Sequence, residues 1–434
     1  MSYPDLIAIG GFVLLFALLL IRIPIGVAMG LVGIGGFGLL VGPGPALKLV
    51  GLSPIRTATE YSLALIPMFI LMGSLATASG LSSELYRASN AWIGHLRGGL
   101  AMATIAACGG FAAICGSSVA TAATMTKVAL PEMKRDGYPD TLATGSIAAG
   151  GTLGILIPPS IVLAIYGILT EQDIGKLFVA GIIPGIMALA LYLLTIRLYV
   201  VFSRHDVPAQ PKSDWSERWS ASRGVWAVVL LFVFVMGGIY GGVFTPSEAA
   251  GMGASGVLII GVVRGRLNLK TIYRCLVDSI QVTASIFFIL IGALLFGYFL
   301  TVTQAPQKVA TLLLSFDLGA YGTLLLILLL FLILGCILDA MAMIVLMIPI
   351  IYPVILQLGF DPIWFGVIIV MTVELGLITP PVGMNVFVLN SLARDIPLQR
   401  IFAGVMPFVL IDVIRLAILV AFPILVLFLP NTMQ

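Results

Sequence analysis

The sequence predicts an all-α polytopic membrane protein built from inverted-topology repeats, with two re-entrant helical hairpins and two broken helices. Three observations predict this fold class: an apolar composition, basic residues that fall on one side of the predicted spans, and an internal repeat. Hydrophobic residues make up 60% of the 434 residues and charged residues 9%, and the mean hydropathy is +1.16. A soluble globule does not have this composition.

The apolar segments are long enough to cross a hydrocarbon core of roughly 30 Å, which needs about 20 helical residues. Asp5 stands where a signal peptide would carry basic residues, so the first segment is interpreted as a retained span. Segments 100–133 and 320–356 are interpreted as hairpins that enter and leave the membrane on the same side. The predicted spans are 5–21, 24–42, 63–79, 140–170, 177–199, 225–243, 247–263, 278–301, 363–392 and 402–428.

In this arrangement the basic residues lie mostly on one face, which the positive-inside rule assigns to the interior of the cell. Both termini are therefore predicted outside. A net charge of only +3 argues against nucleic-acid binding. The basic residues predicted outside are only Lys48, Arg56, Lys176 and Lys308.

An offset of 222 residues aligns the two halves, most specifically the pair Pro158-Pro159 with Pro380-Pro381. Each copy has an odd number of crossings, so the second copy is inverted, as is typical of secondary transporters. The predicted organisation is a first repeat (1–202, hairpin 100–133, broken helix 140–170), a cytoplasmic linker (203–224) with a short amphipathic piece around Trp215 and Trp219, and a second repeat (225–434, hairpin 320–356, broken helix 363–392).

The first hairpin is predicted from the stretch AICGSSVATAATMTK, which starts at residue 113. Gly116 can adopt backbone angles closed to other residues, and the hydroxyls of Ser117 and Ser118 can satisfy backbone groups freed by a turn inside the membrane. The alternative is one ordinary span with a small-residue packing face. Thr121 and Thr124 form a hydroxyl stripe with Ser117 directly after the break, which favours the hairpin.

The second hairpin carries Asp339 at the position aligned with Ser117, in the stretch GCILDAMAMIVLMIP. A carboxylate inside such a run is costly unless it is paired or binds a cation, which favours a cation ligand. The favoured interpretation includes a cation ligand that also caps the returning half-helix, and a structural cap alone is the alternative.

Facing each hairpin is a double-proline element, GGTLGILIPPS and TVELGLITPPV. The prolines remove an N–H group and disfavour helical geometry, so carbonyl groups are freed in mid-membrane, although a plain kink remains the alternative. Carbonyl, hydroxyl and carboxylate oxygens suit a hard cation such as Na⁺. The predicted cation ligands are Gly116, Ser117, Ser118, Gly154, Ile157, Pro158, Asp339, Gly376, Thr379 and Pro380.

The half-helices that begin after the breaks direct positive partial charge inward, which suits a substrate that carries a carboxylate. Glu374 is expected to cap or assist the second site, and Asp412 and Arg415 are expected to neutralise each other. The predicted substrate contacts are Ser118, Thr121, Ser160 and Asn385.

The sequence has no GxxxxGK[ST], HExxH, GxSxG or GxGD motif, so nothing in it supports ATP hydrolysis or another enzymatic activity. If transport is active, an ion gradient must drive it.

The stretches GFAAICGSSVATAATMTKVALPEMKRDGYP, GGTLGILIPPSIVLAIYG, GIYGGVFTPSEAAGMGA and ELGLITPPVGMNVFVLN resemble the large membrane (M) subunit of the tripartite ATP-independent periplasmic (TRAP) transporters. The resemblance covers nearly the whole chain. It implies an elevator-type carrier in the bacterial inner membrane, with periplasmic termini, that is driven by two or more Na⁺ ions. It also implies two partners, a small four-helix membrane subunit (Q type) and a periplasmic binding protein (P type) that delivers an organic acid such as a dicarboxylate.

The family's Na⁺ sites carry over onto Ser117, Ser118 and the backbone of residues 154–158, and onto Asp339 and the backbone of residues 376–380. Two other functions remain open at this stage. A stand-alone ion-coupled organic-anion carrier or antiporter would purify without partners, and a passive channel would give single-channel currents. An intramembrane enzyme is a more distant possibility because the catalytic pairs are missing.

Overall fold

The structure is a computed structural model that describes residues 3–202 and 207–433. The described residues form α-helices, two short 3₁₀-helices and no strand. The helices of the first half are α1 (Tyr3–Leu20), α2 (Ile25–Val41), α3 (Pro43–Thr59), α4 (Leu65–Ala78), α5 (Leu81–Ile93), α6 (Gly99–Cys115), α7 (Ser118–Arg135), α8 (Asp140–Leu156), α9 (Ile161–Thr170), α10 (Ile174–Ala180) and α11 (Ile182–Phe202). Those of the second half are α12 (Trp215–Tyr240), α13 (Pro246–Val263), α14 (Leu269–Thr303), α15 (Ala305–Leu314), α16 (Gly319–Gly335), α17 (Ala340–Gln357), α18 (Pro362–Ile378), α19 (Met384–Leu392), α20 (Leu398–Ala421) and α21 (Ile424–Leu427).

The two hairpins and the two broken helices lie where the sequence predicts them, which confirms the fold class. Helices α6 and α7 pack against each other and are separated by Gly116 and Ser117, and α16 and α17 are separated by residues 336–339. The double-proline elements separate α8 from α9 and α18 from α19, and both proline–proline bonds are cis. Each repeat therefore contributes one hairpin and one interrupted helix, as the aligned motifs predict.

Nine helical segments among the described residues are long and apolar enough to cross a membrane. Two predicted spans, 24–42 and 363–392, are not among them, because α2, α18 and α19 are each shorter than such a helix. The nine segments are Tyr3–Leu20, Tyr61–Ala78, Asp140–Thr170, Ile174–Phe202, Trp215–Tyr240, Pro246–Val263, Leu269–Thr303, Ala340–Gln357 and Leu398–Ala421.

The interrupted helices form the centre of the molecule. Every residue of α8 from Leu142 onward is buried, and so is every residue of α18 from Trp364 onward. Close packing requires glycine in α8: a Cβ added to Gly145 would lie 2.2 Å from the carbonyl oxygen of Gly404 on α20. By contrast, α1 is largely exposed, as expected for a helix that faces lipid. The prolines of the first break, Pro158 and Pro159, are buried, whereas Pro380 and Pro381 of the second break are exposed.

Several helices lie in regions that the sequence analysis treats as loops, namely α3, α5 and α15. The predicted linker, residues 203–224, also differs in part from the structure. Its residues 203–206 lie outside the described residues. Trp215 and Trp219 do not form a separate short piece, because α12 runs from Trp215 to Tyr240 without a proline to interrupt it. This start of α12 docks on α5, where the Arg218 guanidinium lies 5.5 Å from the ring centroids of both Trp92 and Trp215.

Candidate functional site

A cavity of about 730 Å³ lies between the two hairpin tips. Its walls include the ends of both hairpins, the start of α9, one face of α4 and the first half of α14. Four of the predicted site residues line it together: Gly116, Ser117, Ser118 and Asp339. The structure therefore brings the aligned positions of the two repeats, Ser117 and Asp339, to one cavity.

The first tip is held by hydrogen bonds that begin α7 and by close contact with the first break. Gly116 ends α6 in the left-handed region with φ +64°, and a Cβ there would lie 2.9 Å from the carbonyl oxygen of Pro159. The hydroxyl of Ser117 accepts a hydrogen bond from the Ala120 N–H at 3.3 Å. This tip is therefore seated directly against the backbone that the proline pair frees.

Behind the tip, α8 approaches the same turn at Gly154. A Cβ added to Gly154 would lie 2.5 Å from the Ser117 carbonyl oxygen and 2.8 Å from the Thr121 hydroxyl oxygen. Thr121 donates its hydroxyl hydrogen to that Ser117 carbonyl at 2.8 Å. Thr121 is completely buried there and does not line the cavity, so its role as a substrate contact stays a prediction. The Thr121 hydroxyl bonds to the Ser117 carbonyl because Thr121 lies one helical turn after Ser117.

Ser160 caps α9 in the same way. Its hydroxyl donates to the Ile155 carbonyl, which the break leaves free, and accepts from the Leu163 N–H at 3.3 Å. The residue is completely buried and does not line the cavity. The hydroxyl donates once and accepts once within the chain, and the role of Ser160 as a substrate contact stays a prediction.

At the second tip, Asp339 caps α17. Its Oδ1 accepts hydrogen bonds from the N–H groups of Met341 at 2.9 Å and Ala342 at 3.0 Å. No hydrogen bond or ion pair within the described residues involves its second oxygen, Oδ2, and the residue lines the cavity. The geometry thus shows a cap and leaves one carboxylate oxygen for a ligand.

The second break supports this tip from behind. A Cβ added to Gly376 would lie 2.8 Å from the Cα of Gly335, and the Gly383 N–H donates to the Cys336 carbonyl at 3.4 Å. Neither Gly376, Thr379 nor Pro380 of the second break lines the cavity, and the same is true of Gly154, Ile157 and Pro158 of the first. These predicted ligands therefore lie behind the tips. Their backbone is close to the tips, but the residues themselves do not line the cavity.

Asn385 lies in the first turn of α19, next to Met384, which lines the cavity. Its side chain is completely buried, and neither the amide nitrogen nor the amide oxygen has a hydrogen-bond partner in the described residues. A buried amide without partners is costly, which favours a role for Asn385 in ligand binding.

The sequence analysis missed the cavity wall formed by α14. Thr271, Arg274, Asp278 and Ser279 line the cavity, and Arg274 and Asp278 are exposed there. The described residues provide no hydrogen bond or ion pair to the Arg274 guanidinium. The i, i+3, i+7, i+8 spacing of these polar residues was the available signal. This spacing was not recognised because the predicted span starts at residue 278, whereas α14 starts at Leu269.

Carbonyl and hydroxyl oxygens, with the carboxylates of Asp278 and Asp339, are the groups that the cavity offers to a cation. Within residues 3–202 and 207–433 no cluster of three His, Cys, Asp or Glu side chains is present. Glu374, predicted to assist the second site, instead contacts Arg415 at 3.5 Å. Outside the membrane segments, a hydrogen bond from the Lys134 ammonium lowers the pKa of Asp395 and joins α7 to the segment before α20.

Two hairpins whose tips line one cavity, each supported from behind by an interrupted helix, are typical of a multi-span secondary transport protein. The family model for the tripartite ATP-independent periplasmic transporter, DctM component, matches residues 12–425. The C4-dicarboxylate TRAP transporter large permease protein DctM of Pseudomonas aeruginosa is 38% identical over 92% of both chains. The chain belongs to this family: it is the large permease subunit of a TRAP transporter, a multi-span protein of the inner membrane.

Further relatives transport different compounds by name. The ectoine TRAP transporter large permease protein TeaC of Halomonas elongata is 32% identical over 96% of this chain and 97% of its own. The sialic acid TRAP transporter large permease protein SiaM of Vibrio cholerae is 30% identical over 86% of this chain and 87% of its own. A crystal structure of the Alcanivorax borkumensis YdaH transporter covers 88% of this chain and 90% of that one, with a TM-score of 0.61 and 15% identity. That likeness supports the fold alone.

Proposed function

We propose that this subunit carries out Na⁺-coupled transport of a small metabolite with a carboxylate group, together with a small four-helix membrane subunit and a periplasmic substrate-binding protein. The observation that carries the proposal is the single cavity lined by both hairpin tips and by Arg274. The relatives support a carboxylate-bearing substrate, since their names include C4-dicarboxylate, sialic acid and ectoine. In the elevator scheme, the hairpins and broken helices move with substrate and Na⁺ against the remaining helices.

The cation sites are proposed at the two tips. At the second, the free Oδ2 of Asp339 provides a negative charge, and residues 376–380 provide carbonyl oxygens. At the first, residues 116–118 and the backbone of 154–158 provide neutral oxygens. Oxygen ligands of this kind suit Na⁺ by the logic that applies to other hard cations.

The substrate carboxylate is proposed to bind between Arg274 and the starts of α7 and α17. The first residues of both helices line the cavity, and a helix N-terminus presents N–H groups and positive partial charge to an anion. Arg274 faces them from α14, and its planar fork can hold a carboxylate through two hydrogen bonds. Asn385 is proposed to contact the substrate from α19.

Sodium is expected to raise the melting temperature of the purified complex specifically, in comparison with K⁺ at the same ionic strength. Ion at ten times its Kd stabilises the folded state by about 1.4 kcal/mol per site. Asp339→Asn should reduce this rise because it removes the negative charge of the second site. The measurement is a thermal unfolding series in both salts.

The matched control is Asp361→Asn. Asp361 caps α18 through the same two hydrogen bonds, at 2.8 and 2.9 Å, but does not line the cavity. Asparagine caps a helix about as well as aspartate, so neither substitution should cost much cap stability, and only the loss of the Na⁺-specific rise distinguishes Asp339. An equal Na⁺ response in both variants would remove Asp339 from the cation site.

The inverted arrangement, with both termini in the periplasm, predicts opposite sides for two exposed residues, Ser216 and Asp317. Single cysteines at these positions, in a background without the four native cysteines, are expected to react with a membrane-impermeant maleimide from opposite faces. Labelling of intact cells and of inside-out vesicles measures this directly. Reaction of both positions from the same face would contradict the inverted topology.

A further inference from the structure

A groove of about 1070 Å³ lies between α5, α6 and α12, apart from the cavity at the hairpin tips. Helix α12 lines it from Trp219 to Phe234, which corresponds to a rise of about 22 Å. One leaflet of a membrane provides about half of a hydrocarbon core of roughly 30 Å. The groove is therefore long enough to hold an acyl chain over the full depth of one leaflet.

The wall of the groove is apolar along nearly its whole length. Its polar side chains are two serines and three tryptophan indoles, and one of these serines, Ser222, accepts a hydrogen bond from the Trp92 indole N–H at 2.9 Å. Trp226, Val229 and Val233 of α12 are exposed in the groove. A contiguous exposed apolar face of this kind indicates contact with lipid or with another apolar partner.

A buried arginine lies at the end of the groove where α12 begins. Arg218 is only 7% exposed, and its guanidinium lies 5.5 Å from the ring centroids of both Trp92, which lines the groove, and Trp215. Its Nε and Nη2 atoms have no hydrogen-bond partner, and no acidic side chain in the described part of the chain forms an ion pair with it. Ser222, one helical turn later, donates to the Arg218 carbonyl at 2.8 Å and lines the groove. The unpaired charge therefore adjoins the apolar wall.

The charge at this end of the groove favours an anion. A buried guanidinium without an ion pair is costly, and aromatic rings compensate only part of that cost. Its planar fork can bind a phosphate group through two hydrogen bonds. The adjoining segments carry the exposed basic residues Arg87, Arg97 and Arg223, against the exposed acidic residues Asp214 and Glu217. The positive-inside rule assigns this end to the cytoplasmic side, where the leaflet contains anionic lipids.

We propose that the groove binds a phospholipid, with its phosphate group at Arg218 and one acyl chain along α12, and that it prefers a headgroup of net negative charge. An occupant must bring an anionic group to one end of the groove and a long apolar chain to the rest, and a phospholipid has this arrangement. An acyl chain in the bilayer is already in hydrocarbon, so the apolar wall alone gives little selectivity, and Arg218 provides it. The lipid fills the space between the first hairpin and α12. The proposal is independent of the transported substrate and of Na⁺ coupling.

The test is native mass spectrometry of the purified complex, delipidated in detergent and titrated with phosphatidylglycerol or with phosphatidylethanolamine of the same acyl chains. Phosphatidylglycerol should bind at the lower concentration. Arg218→Gln should weaken its binding about tenfold or more, as expected for the loss of a charge-assisted hydrogen bond. Arg218→Lys, which keeps the charge, should weaken it less.

Lys270→Gln removes an exposed basic residue outside the groove and is the control, with the phosphatidylglycerol binding of wild type. Equal binding of phosphatidylglycerol by wild type and by Arg218→Gln would overturn the proposal. Displacement of the lipid by glycerol phosphate, which has no acyl chain, would also overturn it, because the ligand would then be a free phosphate.

Filling the groove tests the acyl chain without changing a charge. Ala106→Phe should lower phospholipid binding because its ring occupies the groove, whereas Val13→Phe on the exposed face of α1 should not. Unchanged binding in Ala106→Phe would show that the lipid binds elsewhere. Benzoylphenylalanine in place of Val229, a photo-crosslinking residue, should crosslink to phospholipid in the complex. A crosslink to the small membrane subunit would overturn the proposal and identify the groove as a subunit interface.

Discussion

Replacing Arg274 with alanine is expected to lower substrate uptake by roughly 100-fold or more, while the protein still folds and inserts. The two charge-assisted hydrogen bonds of a bidentate contact contribute about 1.5–3 kcal/mol each, and each 1.4 kcal/mol is about tenfold in affinity. The effect on folding should be small because the guanidinium is exposed to the cavity and has no partner in the described residues. The assay is uptake by proteoliposomes that contain both membrane subunits, supplied with the binding protein and the organic acid it delivers.

Two further variants make the Arg274 result specific. Arg274→Lys keeps the charge but loses the planar fork, so its uptake should fall between wild type and alanine. Lys270→Ala removes a charge from the exposed first turn of the same helix, outside the cavity, and should leave uptake close to wild type. Similar uptake by the Arg274→Ala and Lys270→Ala variants would mean that the substrate carboxylate binds elsewhere.

Arg274 also illustrates why part of the site could not be predicted from the sequence. The breaks at Gly116, Asp339 and the two proline pairs carry local signals, because glycine, an intramembrane carboxylate and paired prolines each have few structural roles in a helix. Arg274 has no such local signal. A basic residue ahead of an apolar run is ordinary at a membrane surface, and only the tertiary position of α14 brings it to the hairpin tips.

The hydroxyl side chains, unlike Arg274, carry a local signal in the sequence. Thr121 and Ser160 have the residue type and position expected of ligand contacts, but their hydroxyls bind backbone carbonyls of their own repeat. A sequence shows which hydroxyls lie near a break, whereas the choice between a ligand and a freed carbonyl depends on side-chain direction. Asn385 is the converse case, since its amide remains without partners in the described residues.

Glu374 is a related case, because the structure places its carboxyl group next to Arg415. Its distance of five residues from the second break suggests a role there, and Asp412 and Arg415 on one helix suggest a self-contained pair. The structure brings all three together because α20 packs against both α18 and α8. Long-range helix packing of this kind leaves no trace in residue spacing, so the cluster could be found only from the fold.

Gly154→Ala is expected to reduce Na⁺-driven uptake strongly by displacing the first hairpin tip. A Cβ at this position would lie 2.5 Å from the carbonyl oxygen and 2.8 Å from the carbonyl carbon of Ser117. These are backbone atoms and cannot rotate away, so the tip itself must shift. Overpacking of this kind costs about 1–3 kcal/mol, or roughly 5- to 150-fold when the cost falls on ligand binding.

The cost should fall largely on function because the displaced backbone belongs to Gly116, Ser117 and Ser118, which line the cavity. In addition, alanine in place of glycine favours the helix by about 1 kcal/mol, which offsets part of the strain in overall stability. Gly154→Ala should therefore strongly weaken uptake and the Na⁺-specific rise in melting temperature. The melting temperature without Na⁺ should fall only slightly.

Gly35→Ala provides the matched control, since Gly35 also lies within a helix and an added Cβ would meet no atom within 4 Å. It should keep the Na⁺ response and the uptake of wild type. If Gly154→Ala does the same, the close contact between α8 and the first tip does not determine the cation site. If instead it loses the Na⁺ response while Gly35→Ala retains it, the position of the first tip against α8 is required for cation binding, since the substitution removes no candidate ligand oxygen.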